Sequence, residues 1–172
     1  MKSNHFSFSM QRTVRTSMAA ALLVAGSGAH AVDADSSLAV GASIANACSI
    51  TTAPIAFGAY DSVLKAEINT TGSVTVTCTN GASTFVKLGQ GLSAGGGSTD
   101  AVPVRRMTDG TNFLPYSLST VVGQSVVWEM TTGVAHAGTG NATTLTVYGR
   151  IAAGQNVPAG TYADTVVARV TF

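Results

Sequence analysis

From residue 36 to residue 172 the chain is a succession of short runs in which apolar and polar side chains alternate, each ended by turn-forming residues. Alternation with period two marks a strand with one face buried. "SSLAVGASIANAC" sets Leu38, Val40, Ala42 and Ile44 on one face. "CSITTAPIAFGAY" predicts a strand broken near Pro54, which has no N–H to give a ladder. "GSVTVTCT" aligns Val74, Val76 and Cys78, and "TFVKLG" sets Val86 and Leu88 opposite Phe85 and Lys87. "VPVRRM" and "FLPYSLST" predict short strands around the turn "TDGTN", and "SVVWEM" another that carries the only tryptophan, Trp128. "TTLTVYGRI" brings Leu145, Val147 and Ile151 to one face with Gly149 between them. The last run, "AGTYADTVVARVTF", puts Tyr162, Val166, Ala168, Val170 and Phe172 on one side and Thr165, Arg169 and Thr171 on the other.

Sustained helical spacing is confined to the first residues, and many short strands in one domain's length predict an all-β antiparallel sandwich. Two runs fit it poorly. The terminal strand is most apolar at its very end, where chains usually fray. The run before Cys48 alternates as a strand but has the small polar flanks of a loose terminus, as if detached from its sheet.

Composition changes the picture at the N-terminus. Lys2, Arg12 and Arg15 precede an apolar run at residues 18–25 and a close on Ala29-His30-Ala31, the form of a secretory signal peptide cleaved after Ala31. The run is too short for a stable membrane anchor. Removing 31 of the 172 residues leaves 141, one domain. The leader takes three of nine Lys/Arg and none of eight Asp/Glu, leaving six against eight, a formal −2. That balance argues against a nucleic-acid partner, which calls for basic patches. Two cysteines in an exported domain, Cys48 and Cys78, predict one disulfide, stabilising by roughly 3–4 kcal/mol through loop closure.

Candidate chemistry is sparse. His136, the one histidine beyond the leader, falls in "GVAHAGTGN", which reads as a Gly-rich loop, so no nucleophile–base arrangement is assembled and zinc finds too few ligands. Carboxylates are scattered singly, without a calcium loop. Residues 89–94, "GQGLSA", fit a loose dinucleotide fingerprint, but "GGGSTDA" follows and cannot sustain the helix that mechanism needs. By composition this is a flexible loop. No cofactor, metal or catalytic residue is expected, and an enzyme is not.

The two unusual runs explain each other. A terminal strand at the edge of an open sandwich leaves a groove beside it, and a separate alternating strand can fill that groove and complete the sheet. Leu38, Val40, Ala42 and Ile44 are the expected donor side chains, and Val166, Ala168, Val170 and Phe172 are expected to line the acceptor groove. Given to a neighbour, the donor strand makes a head-to-tail contact that need not close, and so a fibre.

An ordered set of motifs runs through the domain. It comprises "ACSI" at residues 47–50, "FGAYD" at 57–61, "VTCTNG" at 76–81 and "RRM" at 105–107. It continues with "LPYSL" at 114–118, Trp128, "YGRI" at 148–151 and "AGTYADTV" at 159–166. In this the chain resembles the spore coat protein U domain, that is, the pilin subunits of archaic (Csu-type) chaperone–usher pili. The resemblance implies an incomplete immunoglobulin-like sandwich lacking its last strand, with Cys48 bridged to Cys78. It implies residues 1–31 as signal peptide, 32–46 as donor-strand extension and 47–172 as the pilin domain. The implied partners are identical or related subunits, a periplasmic chaperone and an outer-membrane usher, with no nucleic acid and no membrane insertion. The implied product is a surface fibre for attachment and biofilm formation. Phe172 stands where a tyrosine is common, and "SVVWEMTTG" lacks the usual glycine after tryptophan. A secreted coat or matrix protein of the same fold without an usher is the alternative, and a small secreted hydrolase or ligand-binding sandwich a third.

Overall fold

A computed structural model describes residues 32–172; the leader predicted for residues 1–31 lies outside the described residues. Nine strands form among them, the longest of them alternating Val/Thr runs. These are β1 (Cys48–Ala53), β2 (Ile68–Cys78), β3 (Ser83–Leu88), β4 (Arg106–Thr108), β5 (Phe113–Pro115), β6 (Ser117–Ser119), β7 (Val134–Ala137), β8 (Ala142–Ile151) and β9 (Ala168–Thr171). All pairings are antiparallel, in a four-stranded sheet β1-β2-β8-β6, a three-stranded sheet β7-β3-β9 and a small β4-β5 ribbon. The fold is thus an all-β, immunoglobulin-like sandwich. Among the described residues no helix is long and apolar enough to cross a membrane.

The core follows the alternation. Val74 and Val76 of β2, Val86 and Leu88 of β3, Leu118 of β6 and Val147 of β8 meet between the sheets around Trp128. On the outer face threonines pair across strands, as Thr75 and Thr144 do with hydroxyls 2.9 Å apart. The chain leaves β1 at Pro54 and crosses the inner face where β2 and β8 each carry a glycine, Gly72 and Gly149. A Cβ on Gly72 would lie 2.5 Å from Ile55 and 3.0 Å from the Ala53 carbonyl, and one on Gly149 3.0 Å from both Ile55 and Phe57, so the two glycines make room for the crossing.

Four expectations need correcting. "SVVWEM" is no strand, because its main chain serves several elements in turn: Trp128 N–H donates to Leu118, Glu129 accepts from Leu88, and Met130 donates to Asp100. His136 is not in a loop; it lies on β7 opposite Thr84, a strand too short between Gly133 and Gly138 to show its period. The Gly-rich loop after β3 is pinned along its length, as described below. The terminal strand is shorter than its pattern, since the ladder with β3 covers only Ala168–Thr171 and Phe172 lies beyond it, 61% exposed. Residues 32–47 form no ladder at all, which fits a run whose alternation has no neighbour to pair with.

Candidate functional site

Strands β1 and β9 are each the last member of their sheet, and both stand on the same flank of the sandwich. Between them opens a groove of about 420 Å³. One lip is Thr52 to Ile55 and the other Tyr162 to Val166 with Ala168, while the core residues Val74, Leu88, Leu118 and Val147 form the floor. The lips present unpaired main chain. Gly89 N–H donates to the Val167 carbonyl at 2.8 Å, so alternation turns the amides and carbonyls of Val166, Ala168 and Val170 away from β3. On β1, Thr79 N–H donates to Ala47 at 2.9 Å, which by the same alternation turns the main-chain groups of Cys48, Ile50 and Thr52 outward. An apolar trough between two free strand edges is the shape a further strand fills.

The opposite flank is shut. Trp128, 1% exposed, donates its indole N–H to the Val86 carbonyl at 2.8 Å. Arg105, only 2% exposed, has no carboxylate partner; its Nε donates to Gly89 O and one terminal nitrogen to Leu88 O and Trp128 O, at 2.7–3.0 Å. Burial pulls its pKa down to about 10, against the fields of Tyr116, Asp164 and Glu129. Glu129 accepts from the amides of Thr131, Thr132 and Gly133 and so caps the turn that follows the tryptophan. Desolvation would raise its pKa, but these amides together hold it below the ordinary value.

At the mouth of the groove, Asp164 accepts from the amides of Leu92 at 2.9 Å and Ser93 at 3.1 Å and from the Tyr116 hydroxyl at 2.7 Å. Burial, with the hydrogen bond to Asp164, pushes the Tyr116 phenol well up. Tyr116 meets Phe57 edge-on, ring centres 6.0 Å apart. The four aromatic and acidic groups at this end, Phe57, Tyr116, Tyr162 and Asp164, all line the groove.

Val166 and Ala168, two of the residues expected at the acceptor groove, line it; Val170 sits farther along β9 opposite Val86, and Phe172 stands outside. Leu38, Val40 and Ile44 are 88, 89 and 88% exposed, and Ala42 is exposed too. Cys48 and Cys78 are bonded to each other. They face one another across β1 and β2 with Cα atoms 4.1 Å apart, at a position where alternation brings side chains close. The second lip, the floor and the Tyr116–Asp164 pair leave no local signal in the sequence. Only tertiary contact joins residues 52–57 to residues 162–168, though the break at Pro54 did mark where β1 ends.

The family described as the Spore Coat Protein U domain matches residues 34–169. "Protein U" of Myxococcus xanthus is 42% identical over 167 residues, 90% of this chain and 93% of that protein. Among solved structures, a chain of the CsuC–CsuE chaperone–tip adhesion subunit pre-assembly complex from archaic chaperone-usher Csu pili of Acinetobacter baumannii superposes with a TM-score of 0.53 at 22% identity. The match covers 75% of this chain and spans 40% of that one, a likeness of fold. The groove, the bridged cysteines and the order of strands are those of an all-β domain, and the chain belongs to the Spore Coat Protein U domain family.

Proposed function

We propose that this protein is a structural subunit of a surface fibre, exported by its leader and polymerised by donor-strand exchange through a chaperone and an usher, in support of attachment and biofilm formation. The observation that carries the reading is the groove between β1 and β9, floored by core side chains and edged by unpaired main chain. Its occupant is the run at residues 36–45 of a second copy, alternating and exposed. Burying Leu38, Val40 and Ile44 would contribute about 1.5–3 kcal/mol each. Each new main-chain hydrogen bond adds roughly 0.5–1.5 kcal/mol. Association and ordering subtract from that sum. In this reading a chaperone supplies the strand in transit; the Acinetobacter complex likewise joins a chaperone to its own tip adhesion subunit before assembly.

The family's description and the 42% identity to Protein U favour a second reading, a secreted coat protein of this fold assembled without an usher. Both readings use the groove, and a chaperone and usher encoded beside the gene would decide for the first. The groove itself is tested by periplasmic expression alone and with residues 36–45 fused after Phe172. The unassisted chain is expected to clump or be degraded, and the fused chain to be soluble. A second test is Ile44→Asp, which places an unpaired charge in the neighbour's groove and should stop polymer growth. Normal assembly of that variant would show that Ile44 is not a donor side chain.

A further inference from the structure

Residues of three distant motifs converge on one loop, residues 88–94. Arg105 binds the carbonyls of Leu88 and Gly89, and Arg106 binds those of Ser93 and Ala94. Asp164 binds the amides of Leu92 and Ser93, and Tyr116 holds the other oxygen of Asp164. The loop, Gly-rich and flexible by composition, is therefore held both by its carbonyls and by its amides. With two amides on one oxygen and a hydroxyl on the other, the Asp164 carboxylate is occupied by its own chain and is not a free charge for a ligand.

We propose that Asp164 and Tyr116 form a latch that fastens residues 163–168 to this loop, and that the latch holds this lip of the groove in the extended form an entering strand requires. The inference rests on the donor-strand reading and adds to it what positions the lip. Two main-chain bonds also tie the lip to the loop, Gly89 to Val167 and Leu92 to Thr165, the latter from the same N–H that Asp164 shares. A pair between Ala163 and Thr108 ties the start of the lip to β4. The two bonds to the loop are three residues apart on the loop and two on the lip, so no regular ladder spans this stretch. The carboxylate fills that break. With the inner edge held this way, the main-chain groups of Val166 and Ala168 on the opposite edge are left bare.

Gly91 tests the latch without removing any of its polar groups. It has φ +88°, and a Cβ there would collide with the Asp164 carboxylate, while Gly91 itself does not line the groove. Gly97 has φ +79° and nothing within 4 Å of its Cβ position, so an alanine there meets comparable backbone strain in the same loop region without touching the lip. The probe is a labelled peptide of residues 36–45. It is added during refolding of the full chain carrying Ile44→Asp, which in this reading cannot donate its own strand. The readouts are the rate at which unlabelled peptide displaces the label and hydrogen exchange at amides 163–168.

Gly91→Ala and Asp164→Ala should each speed release by roughly tenfold or more, the scale of one or two lost charged hydrogen bonds. Exchange at amides 163–168 should rise with release. Gly97→Ala should stay within about twofold of the parent even though it lowers thermal stability. Asp164→Asn, whose amide oxygen can still accept from Leu92 and Ser93, should recover most of the loss. Equal release from Gly91→Ala and Gly97→Ala overturns the latch alone. Failure of the parent chain to take up the peptide overturns the donor-strand reading, and the latch with it.

Discussion

On the flank between β6 and β7 the chain crosses from sheet to sheet through Trp128 and Glu129, and the main chain and indole of that crossing are hydrogen-bonded to β3 and β6. Arg105 gathers three carbonyls there, and the indole takes a fourth. On the flank between β1 and β9 the same core is reached through an open groove, and the strand edges beside it carry unpaired amides and carbonyls. The openness is therefore local. A bare edge beside an apolar trough is a standing invitation to aggregate, and proteins normally cover it. Here one flank is closed by residues of the chain itself, which is what a protein needs if the other flank is reserved for a strand from elsewhere.

The strongest way to break this comparison is a matched pair of substitutions. Trp128→Ala on the closed flank should lower stability by about 3–5 kcal/mol. The loss should appear in urea unfolding with or without residues 36–45 fused after Phe172. Ala168→Asp on the open flank should cost the unfused chain clearly less than Trp128→Ala, because half-buried Ala168 lines an open groove that its carboxylate can share with water. In the fused chain the same substitution should be far more damaging, since the charge is then buried. Equal damage from both substitutions in the unfused chain would mean that the flanks do not differ.

A smaller effect sharpens the picture of β1, whose only ladder partner among the described residues is β2. Replacing Cys48 and Cys78 together by serine should cost roughly 3–4 kcal/mol, read from the same urea curves. Amides 48–53 should then exchange faster while those around Trp128 keep their protection relative to global unfolding. Uniform loosening of both flanks would argue that the bridge serves the whole sandwich.

The smallest effect concerns the turn beside the acceptor lip. Asp109, exposed in the β4–β5 turn, accepts from the Asn112 side chain and from the amides of Asn112 and Thr111. Those bonds, led by the Asn112 side chain, lower its pKa to about 2. A carboxylate with a depressed folded-state pKa contributes in full above its unfolded value, near 4, and loses that contribution as pH falls through the folded one. Nuclear magnetic resonance titration should therefore place the Asp109 midpoint near pH 2, with the turn loosening only in that acid window. A midpoint near 4 would show that the turn does not hold it.

The sequence by itself determined the class of the fold, the faces of β2, β3 and β8, the end of β1 at Pro54 and the bonding of two lone cysteines. These are consequences of period-two burial and of proline's missing donor, and both act within a few residues. It also marked the apolar run at residues 36–45 and the residues Val166 and Ala168. Only the tertiary structure decided which edges stay open. Closure by Trp128 depends on main-chain bonds to β3 and β6 that no local pattern encodes, so "SVVWEM" looked like a strand and is a strap. The hydrogen bonds among residues 92, 93, 116 and 164 likewise come from packing at long range and leave no periodic trace in the chain.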